Sequence, residues 1–245
     1  MTESQDKFPA RHRQSGGENL EVMQEAKKYN RFLRDLIRRY AGDAPTALDF
    51  GAGIGTFSNS LDIPTGRVHC VEPDAAAREL LANEGFLPHA DLSDVDDASI
   101  AYLFTLNVLE HIEDDIGALA ELYRVLEPGG RLFIYVPAFK LLYSSMDLHV
   151  GHHRRYRMAE LQKLLQRTGF SIEEKAYTDA LGFFATLAYK LVNNREPAAL
   201  NRRLVRFYDR YLFPLSRILS VPLARILGKN LFIVATRPVP RAEDR

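Results

Sequence analysis

The residue types best suited to chemistry gather in the segment Ala47-Leu48-Asp49-Phe50-Gly51-Ala52-Gly53-Ile54-Gly55-Thr56-Phe57, where an apolar run enters glycines at alternate positions. Glycines at a strand-to-helix turn let the backbone approach a ligand with no Cβ in the way. The first amides of the following helix then face whatever binds there. A dinucleotide-binding loop wants a third glycine or alanine where this chain has Thr56, so the crowding at a pyrophosphate is not relieved in the usual place. Asp49, two residues before Gly51, instead suits a cationic ligand group near the loop. A P-loop is excluded, because no Gly-Lys-Ser/Thr follows. A second acid, Glu72, sits in Val71-Glu72-Pro73-Asp74 at the end of the next strand. A carboxylate there can accept both hydroxyl protons of a ribose. Asp91, in Ala90-Asp91-Leu92, would lie beside an adenine amino group or, among Asp94, Asp96 and Asp97, be one more solvated acid.

Histidines supply the remaining chemistry. One follows a strand in Asn107-Val108-Leu109-Glu110-His111, and three stand in Asp147-Leu148-His149-Val150-Gly151-His152-His153-Arg154-Arg155-Tyr156. The second segment invites a metal reading. Gly151 in its middle leaves no regular helical ligand spacing, so no metal is assigned.

Short β-rich runs alternating with helical ones must position these groups. Strands are predicted at Ala47–Phe50, Arg67–Val71, Ile100–Leu106, Arg131–Val136, Ser171–Tyr177 and Leu231–Thr236. Helices are predicted from Glu18 to about Tyr40, and at Thr56–Leu61, Asp74–Glu84, Asp114–Leu126 and Met158–Thr168. Such alternation predicts an α/β fold, a mostly parallel sheet with right-handed crossovers and helices on both faces. Residues 1–17, polar and ending in Gly16-Gly17, read as a mobile tail, with one domain over 18–245.

Taken in order, LDFGAGIG (48–55), VEPD (71–74), AD (90–91), LNVLEHIEDD (106–115) and LYRVLEPGGRLFIYVPA (122–138) resemble the class I S-adenosylmethionine-dependent methyltransferases. The resemblance implies a Rossmann-like seven-stranded sheet whose last strand runs antiparallel. It also implies S-adenosyl-L-methionine lying across the carboxyl ends of the first, second and fourth strands. Carried over residue by residue, the cofactor contacts fall on Asp49, Gly51, Ala52, Gly53, Glu72 with Pro73, Asp91 with Leu92, and Asn107. The segment GHHRRYRMAELQKLLQRTGF (151–170) resembles a subgroup found in bacterial glycan and lipid pathways. In that subgroup a helix like MQEAKKYNRFLRDLI (23–37) precedes the glycine loop; Tyr29 on it would close over the cofactor or simply pack.

A sulfonium methyl is already electrophilic, so the protein mainly has to align the acceptor. A hydroxyl acceptor gains from a base near neutral pKa, which points to histidine. His111 and His152 are the candidates, although His111 would equally hold its loop by hydrogen bonds. His149, His153, Arg154, Arg155 and Tyr156 would line the acceptor pocket. Paired arginines suit a carboxylate or phosphate, or are solvated charge before a helix.

Composition narrows the classes. The 245 residues balance 32 basic against 32 acidic side chains, which argues against nucleic acid as partner. Basic residues concentrate in the C-terminal half, above all in an apolar and basic insertion at about 180–229. Arg203, Arg206, Arg210 and Arg217 recur there opposite Leu204, Phe207, Tyr211, Leu215 and Ile218, with Pro214 and Pro222 dividing the helical run. That element would cap the acceptor pocket, touch an anionic membrane, form an interface or add a packed layer. A single cysteine, Cys70, fits a reducing cytosol. No signal-peptide pattern or membrane-length apolar run occurs, so a cytoplasmic location is expected, extending to peripheral contact at the inner face of the membrane. The expected activity is methyl transfer to a small-molecule or lipid/glycan-linked acceptor, at a hydroxyl oxygen. Its rivals are a nicotinamide-dependent oxidoreductase and a non-catalytic S-adenosylmethionine-binding module. Acceptor identity and oligomeric state are left open.

Overall fold

The computed structural model describes Val22, residues 24–193 and residues 201–240. The expected N-terminal tail, Met23 and residues 194–200 of the insertion lie outside the described residues. Seven strands form one sheet: β1 (Ala47–Phe50), β2 (Val68–Val71), β3 (Leu87–His89), β4 (Ile100–Leu106), β5 (Leu126–Pro137), β6 (Ser171–Thr178) and β7 (Asn230–Thr236). Their spatial order is β3-β2-β1-β4-β5-β7-β6, with β7 antiparallel to both of its neighbours and the other pairs parallel. The α/β class and the antiparallel last strand anticipated from the motifs are both present.

Because successive strand residues face opposite sides of a sheet, the strands build two cores. On one face Leu48, Leu103, Leu132, Ile134 and Ile233 pack with Leu119 and Leu122 of α3 (Asp115–Val125) and Leu161 and Leu165 of α5 (Met158–Arg167). On the other, Val68, Tyr102, Phe104, Phe133 and Val234 meet Leu33, Leu36, Ile37 and Tyr40 of α1 (Lys27–Ala41). Two shorter helices, α2 (Ala75–Asn83) and α4 (Ser145–Val150), flank the ends of β2 and β5 in sequence.

The helix expected at Thr56–Leu61 does not form; only a single 3₁₀ turn, Ser58–Ser60, occupies it. Serine and asparagine side chains compete for hydrogen bonds with a nascent helix. Here the Ser58 hydroxyl donates to Asp49 Oδ2 at 2.7 Å.

The insertion folds as α6 (Ala180–Asn193), α7 (Arg202–Phe207), a π-helical turn at Tyr208–Leu212 and α8 (Phe213–Leu223). Pro214 stands in the first turn of α8 and Pro222 near its end. Lacking an amide proton, Pro214 cannot continue the preceding helical ladder, which accounts for the change of helical register there. The insertion is pinned to α1. Asp209 accepts from the amides of Lys28 and Tyr29 at 3.0 and 2.8 Å, the role of an N-cap that Ala26 lacks the side chain to fill. Phe213 is buried edge-on against Tyr29 and Phe32. Among the described residues, no helix is long and apolar enough to cross a membrane.

Candidate active site

The site forms where open α/β sheets bind ligands, at the carboxyl ends of the central strands. After β1 the chain turns through Gly51, Gly53 and Gly55, all with positive φ. Gly51 is obligatory on two counts, since its φ is +82° and a Cβ would come within 2.3 Å of Val108 Cγ2. Gly53 has the same left-handed backbone but open space on its Cβ side, the cradle a ligand would fill. Gly53 N–H donates to Glu72 Oε2 at 2.8 Å, and Asp74 N–H donates to Glu72 Oε1 at 3.0 Å. Arg78 fastens the backbone behind that acid by donating to the carbonyls of Glu72 and Pro73, both at 2.7 Å. The acid from β2 therefore lies against the bend from β1. The expected helix is absent, and the Gly53 amide of the loop is engaged by Glu72 where a helix terminus was expected.

Asp49 is 4% exposed, and burial pushes its carboxyl up to about 7, against the hydrogen bond from Ser58 and with the charge of Glu72 adding to the rise. A buried acid held near neutrality is poised to ionise beside a cationic ligand. A shallow, open depression lies between Glu25 and Lys27, Ile54 of the glycine loop and Arg202 of the insertion.

The other expected donor-side residues are placed less uniformly. Ala52 is buried and its amide is held by the Val71 carbonyl at 3.2 Å. Pro73 is exposed beside Glu72. Asp91 is exposed and caps its own turn by accepting from Ser93 N–H at 3.0 Å, while Leu92 packs into the core. Asn107 is exposed at the end of β4 with a left-handed φ of 54°, an uncommon conformation for a non-glycine residue. The Tyr29 hydroxyl is 3.2 Å from that of Tyr135 and 3.4 Å from Asn230 Nδ2, so its ring joins a polar cluster under the cap.

On the side where the acceptor residues were expected, two loops meet. The turn at Asn107 leads into Leu109–His111 and buries Glu110 completely. Neither Glu110 carboxylate oxygen meets a hydrogen-bond partner on another residue, and burial raises the carboxyl to about 8 against the pull of its own backbone amide and of the nearby Arg155. From the other direction, α4 begins with a capping box between Ser144 and Asp147 and ends at Gly151, whose left-handed φ of 82° turns the chain back. His152 then lies over Asp147, Nδ1 at 2.8 Å from Oδ1. Burial would raise Asp147, but hydrogen bonds from His152 and Arg155 prevail and hold it at about 2. His152 Nε2 points toward Glu110 Oε1 at 3.8 Å, and the rings of His111 and His152 meet edge-on with centroids 4.6 Å apart. His153 N–H donates to the Glu110 carbonyl at 2.8 Å, locking the loops together. Sequence reading thus found both histidines that converge but missed Glu110 and Asp147. The available signal for Glu110 was an acid set between apolar Leu109 and Ile112 beyond a strand.

The remaining acceptor-side expectations resolve into structure. His149 and the His153 side chain are exposed. Arg154 donates to Asp115 Oδ2 at 2.7 Å and to the Glu113 carbonyl at 2.6 Å. Arg155 donates to Asp147 Oδ1 at 2.7 Å, leaving its Nη1 buried without a partner. Tyr156 is buried, its hydroxyl on Asp115 Oδ2 at 3.0 Å. Arg154 therefore braces the loop, and Arg155 both braces it and keeps one unused donor.

Comparison with known proteins agrees with this geometry. The family model described as "Methyltransferase domain" matches residues 25–175. A Mycolicibacterium smegmatis protein named "Probable S-adenosylmethionine-dependent methyltransferase" is 33% identical over 100 residues, covering 39% of this chain and 37% of that one. The chain spans 37% and 42% of the lengths of the two curated relatives it matches. Among solved structures, a Haloferax volcanii complex of the Trm112 methyltransferase activator with a candidate methyltransferase aligns with TM-score 0.60 and 18% identity, over 98% of this chain and 99% of that one. The geranyl diphosphate C-methyltransferase of Streptomyces coelicolor aligns with TM-score 0.61 and 14% identity, over 89% and 84%. With its sheet order and family match in agreement, the chain belongs to the methyltransferase-domain family.

Proposed function

We propose that this domain transfers a methyl group from S-adenosyl-L-methionine to a hydroxyl oxygen of a small-molecule or lipid/glycan-linked acceptor. The observation that carries the reading is the pairing of two half-sites at the carboxyl edge of one sheet. One is the Gly53 bend with Glu72 at 2.8 Å; the other is the His111–His152 pair beside buried Glu110. Glu72 suits a ribose, and the space at Gly53 suits the body of the donor. Asp49 would ionise against the donor's cationic portion. Asp91 and Asn107 are assigned to the adenine side and to the rim of the donor pocket. When bound, the donor supplies an electrophilic methyl carbon.

The residues of this chain then align the acceptor oxygen and draw off its proton as the new O–C bond forms. His152, its Nδ1 engaged by Asp147, is oriented with Nε2 toward the reaction space. Arg155 Nη1 is an unused buried donor for an acceptor oxygen, and His149 and His153 lie at the exposed mouth.

A lipid-linked or amphiphilic acceptor is favoured by the cap. Leu204, Phe207, Tyr211, Leu215, Ile218 and Val221 are all exposed on it, with Ile218 at 69% and Val221 at 78%. Arg203, Arg206, Arg210 and Arg217 are exposed among them. Exposed basic and apolar side chains on the same helical segments suit the headgroup region of an anionic bilayer. Such contact would be peripheral, at the inner face of the membrane.

The decisive experiment incubates the protein with isotopically labelled methyl donor and lipid or glycan extracts. A labelled product cleaved by demethylating acid, not by hydroxylamine, supports an ether. Tight binding of S-adenosylhomocysteine with no product in any extract would instead favour a binding module. Stabilisation by NAD rather than S-adenosylhomocysteine would favour an oxidoreductase. Flotation with anionic vesicles at low salt tests the cap.

A further inference from the structure

We infer that Glu110, His111 and His152 form a binding site for one divalent first-row transition ion. A carboxylate oxygen of Glu110 and one ring nitrogen from each histidine all lie within 4.8 Å of one another. Ligand atoms on one ion with bonds of about 2.1 Å stand roughly 3 to 4 Å apart. His152 Nε2 and Glu110 Oε1 are already 3.8 Å apart, so small side-chain rotations close the set.

Three independent features distinguish this from an incidental cluster. The first is the state of Glu110. It is fully buried, yet apart from its own backbone amide no group of another residue hydrogen-bonds either carboxylate oxygen. A buried, unpartnered carboxylate is costly, and a cation between it and the imidazoles removes that cost. The second is the support behind His152. Asp147 engages Nδ1 at 2.8 Å, while Asp147 is itself fixed by Arg155 Nε at 2.7 Å and by the Ser144 amide at 2.9 Å. A carboxylate behind a histidine fixes the ring and its tautomer and leaves Nε2 with its lone pair forward, the arrangement found behind metal-binding histidines. The third is the anchoring of the two loops. His153 N–H on the Glu110 carbonyl at 2.8 Å and the Tyr143 hydroxyl on the His152 carbonyl at 2.6 Å hold the ligands in place without the ion.

Two imidazoles and one carboxylate select the class of ion. Calcium takes six to eight oxygen ligands, and magnesium is held mainly by carboxylates and water. Imidazole donors suit Zn²⁺, Co²⁺, Fe²⁺ and Mn²⁺, and three protein ligands leave positions open for water or a substrate oxygen. The binding of the ion stands on this geometry alone. Its link to catalysis, in which the ion holds the acceptor oxygen and His152 Nε2 is a ligand in place of the proton acceptor, rests on the function proposed above.

The test uses Co²⁺ as probe on the full chain, stripped with chelator, with S-adenosylhomocysteine binding measured in parallel. Uptake of one Co²⁺ per chain is expected, with visible d–d absorption of a nitrogen- and oxygen-ligated ion and displacement by Zn²⁺. His111→Ala and His152→Ala should each weaken uptake at least 100-fold. Asp147→Asn should weaken it about 10- to 100-fold, as expected for a group behind a ligand. Because Glu110→Gln removes the buried acid without changing its shape, it should abolish the absorption while far-UV circular dichroism stays unchanged. Absence of saturable uptake by protein that binds S-adenosylhomocysteine would overturn the inference, as would uptake indifferent to both histidine substitutions. Ion binding with no methylated product would retain the site and retire the methyl-transfer reading. Methyl transfer in protein that takes up no ion would do the reverse.

Discussion

Replacing Asp49 by asparagine should make the ligand-free protein more stable at alkaline pH. Asp49 is buried at the end of β1, with its carboxyl raised to about 7 by desolvation, whereas in an unfolded chain it titrates near 4. Between those values the native state retains a proton that the unfolded state has lost. Stability therefore falls as pH rises from about 4 to about 7 and levels off above. At about 1.4 kcal/mol per pH unit, the loss between pH 5 and pH 8 is about 3 kcal/mol. Asparagine keeps an acceptor for the Ser58 hydroxyl, 2.7 Å away in the native protein, and carries no charge at any pH. Urea denaturation of both proteins at pH 5 and pH 8 measures the effect. The stability of Asp49→Asn relative to the native protein should rise by about 3 kcal/mol over that interval. A difference that does not change with pH, or that moves the other way, refutes the burial argument. The same acid couples to the donor. A cationic group next to Asp49 favours the ionised form, so affinity for S-adenosyl-L-methionine should increase through pH 7 in the native protein and stay flat in Asp49→Asn.

Gly53→Arg should abolish donor binding while the protein still folds, because the side chain enters open space at the cradle; its φ of +54° adds only about 1 kcal/mol of strain. Calorimetry with S-adenosylhomocysteine, paired with a melting curve, checks both parts, and retained binding would place the donor elsewhere. His111→Ala should leave donor affinity within a few-fold and cut turnover by about 100-fold or more, read in the labelled-methyl assay once an acceptor is found. Asp209→Ala should destabilise the fold by about 1 kcal/mol, the usual worth of an N-cap, because it frees the Lys28 and Tyr29 amides that its carboxylate accepts from. Denaturation midpoints at fixed slope decide that case.

The pairing of the glycine bend with Glu72, the proposed donor half-site, was legible because its physics is local. Gly51 cannot carry a Cβ against Val108, and Glu72 needs only the adjacent parallel strand to reach Gly53. The alternation of strands and helices likewise forced the sheet. What failed locally was the helix at Thr56–Leu61. Its pattern was helical, but the decisive interaction, Ser58 with buried Asp49, depends on burial that periodicity does not reveal. Arg154 and Arg155 show a related effect. Two adjacent guanidinium groups advertise an anion, yet Asp115, 39 residues upstream of Arg154, and Asp147, in the same segment, hold them.

The acceptor half-site could not be read from spacing at all, and the reason bears on how its residues act. Glu110 and His111 follow β4, His152 follows β5 and α4, and only the parallel pairing of β4 with β5 sets those two loops side by side. Spacing along one helix could not test the proposed ligand set, because two helices, the strand between them and a left-handed turn at Gly151 separate its two halves. The same topology explains why Glu110 is buried without a partner. Loops after neighbouring strands exclude water from the seam between them, and the hydrogen bond that locks the seam uses the Glu110 carbonyl rather than its carboxylate. A fold built only for stability would fill that position with an apolar residue. Retaining an acid there, opposite two imidazoles and backed by Asp147, makes sense if something positively charged or proton-donating enters the seam during function.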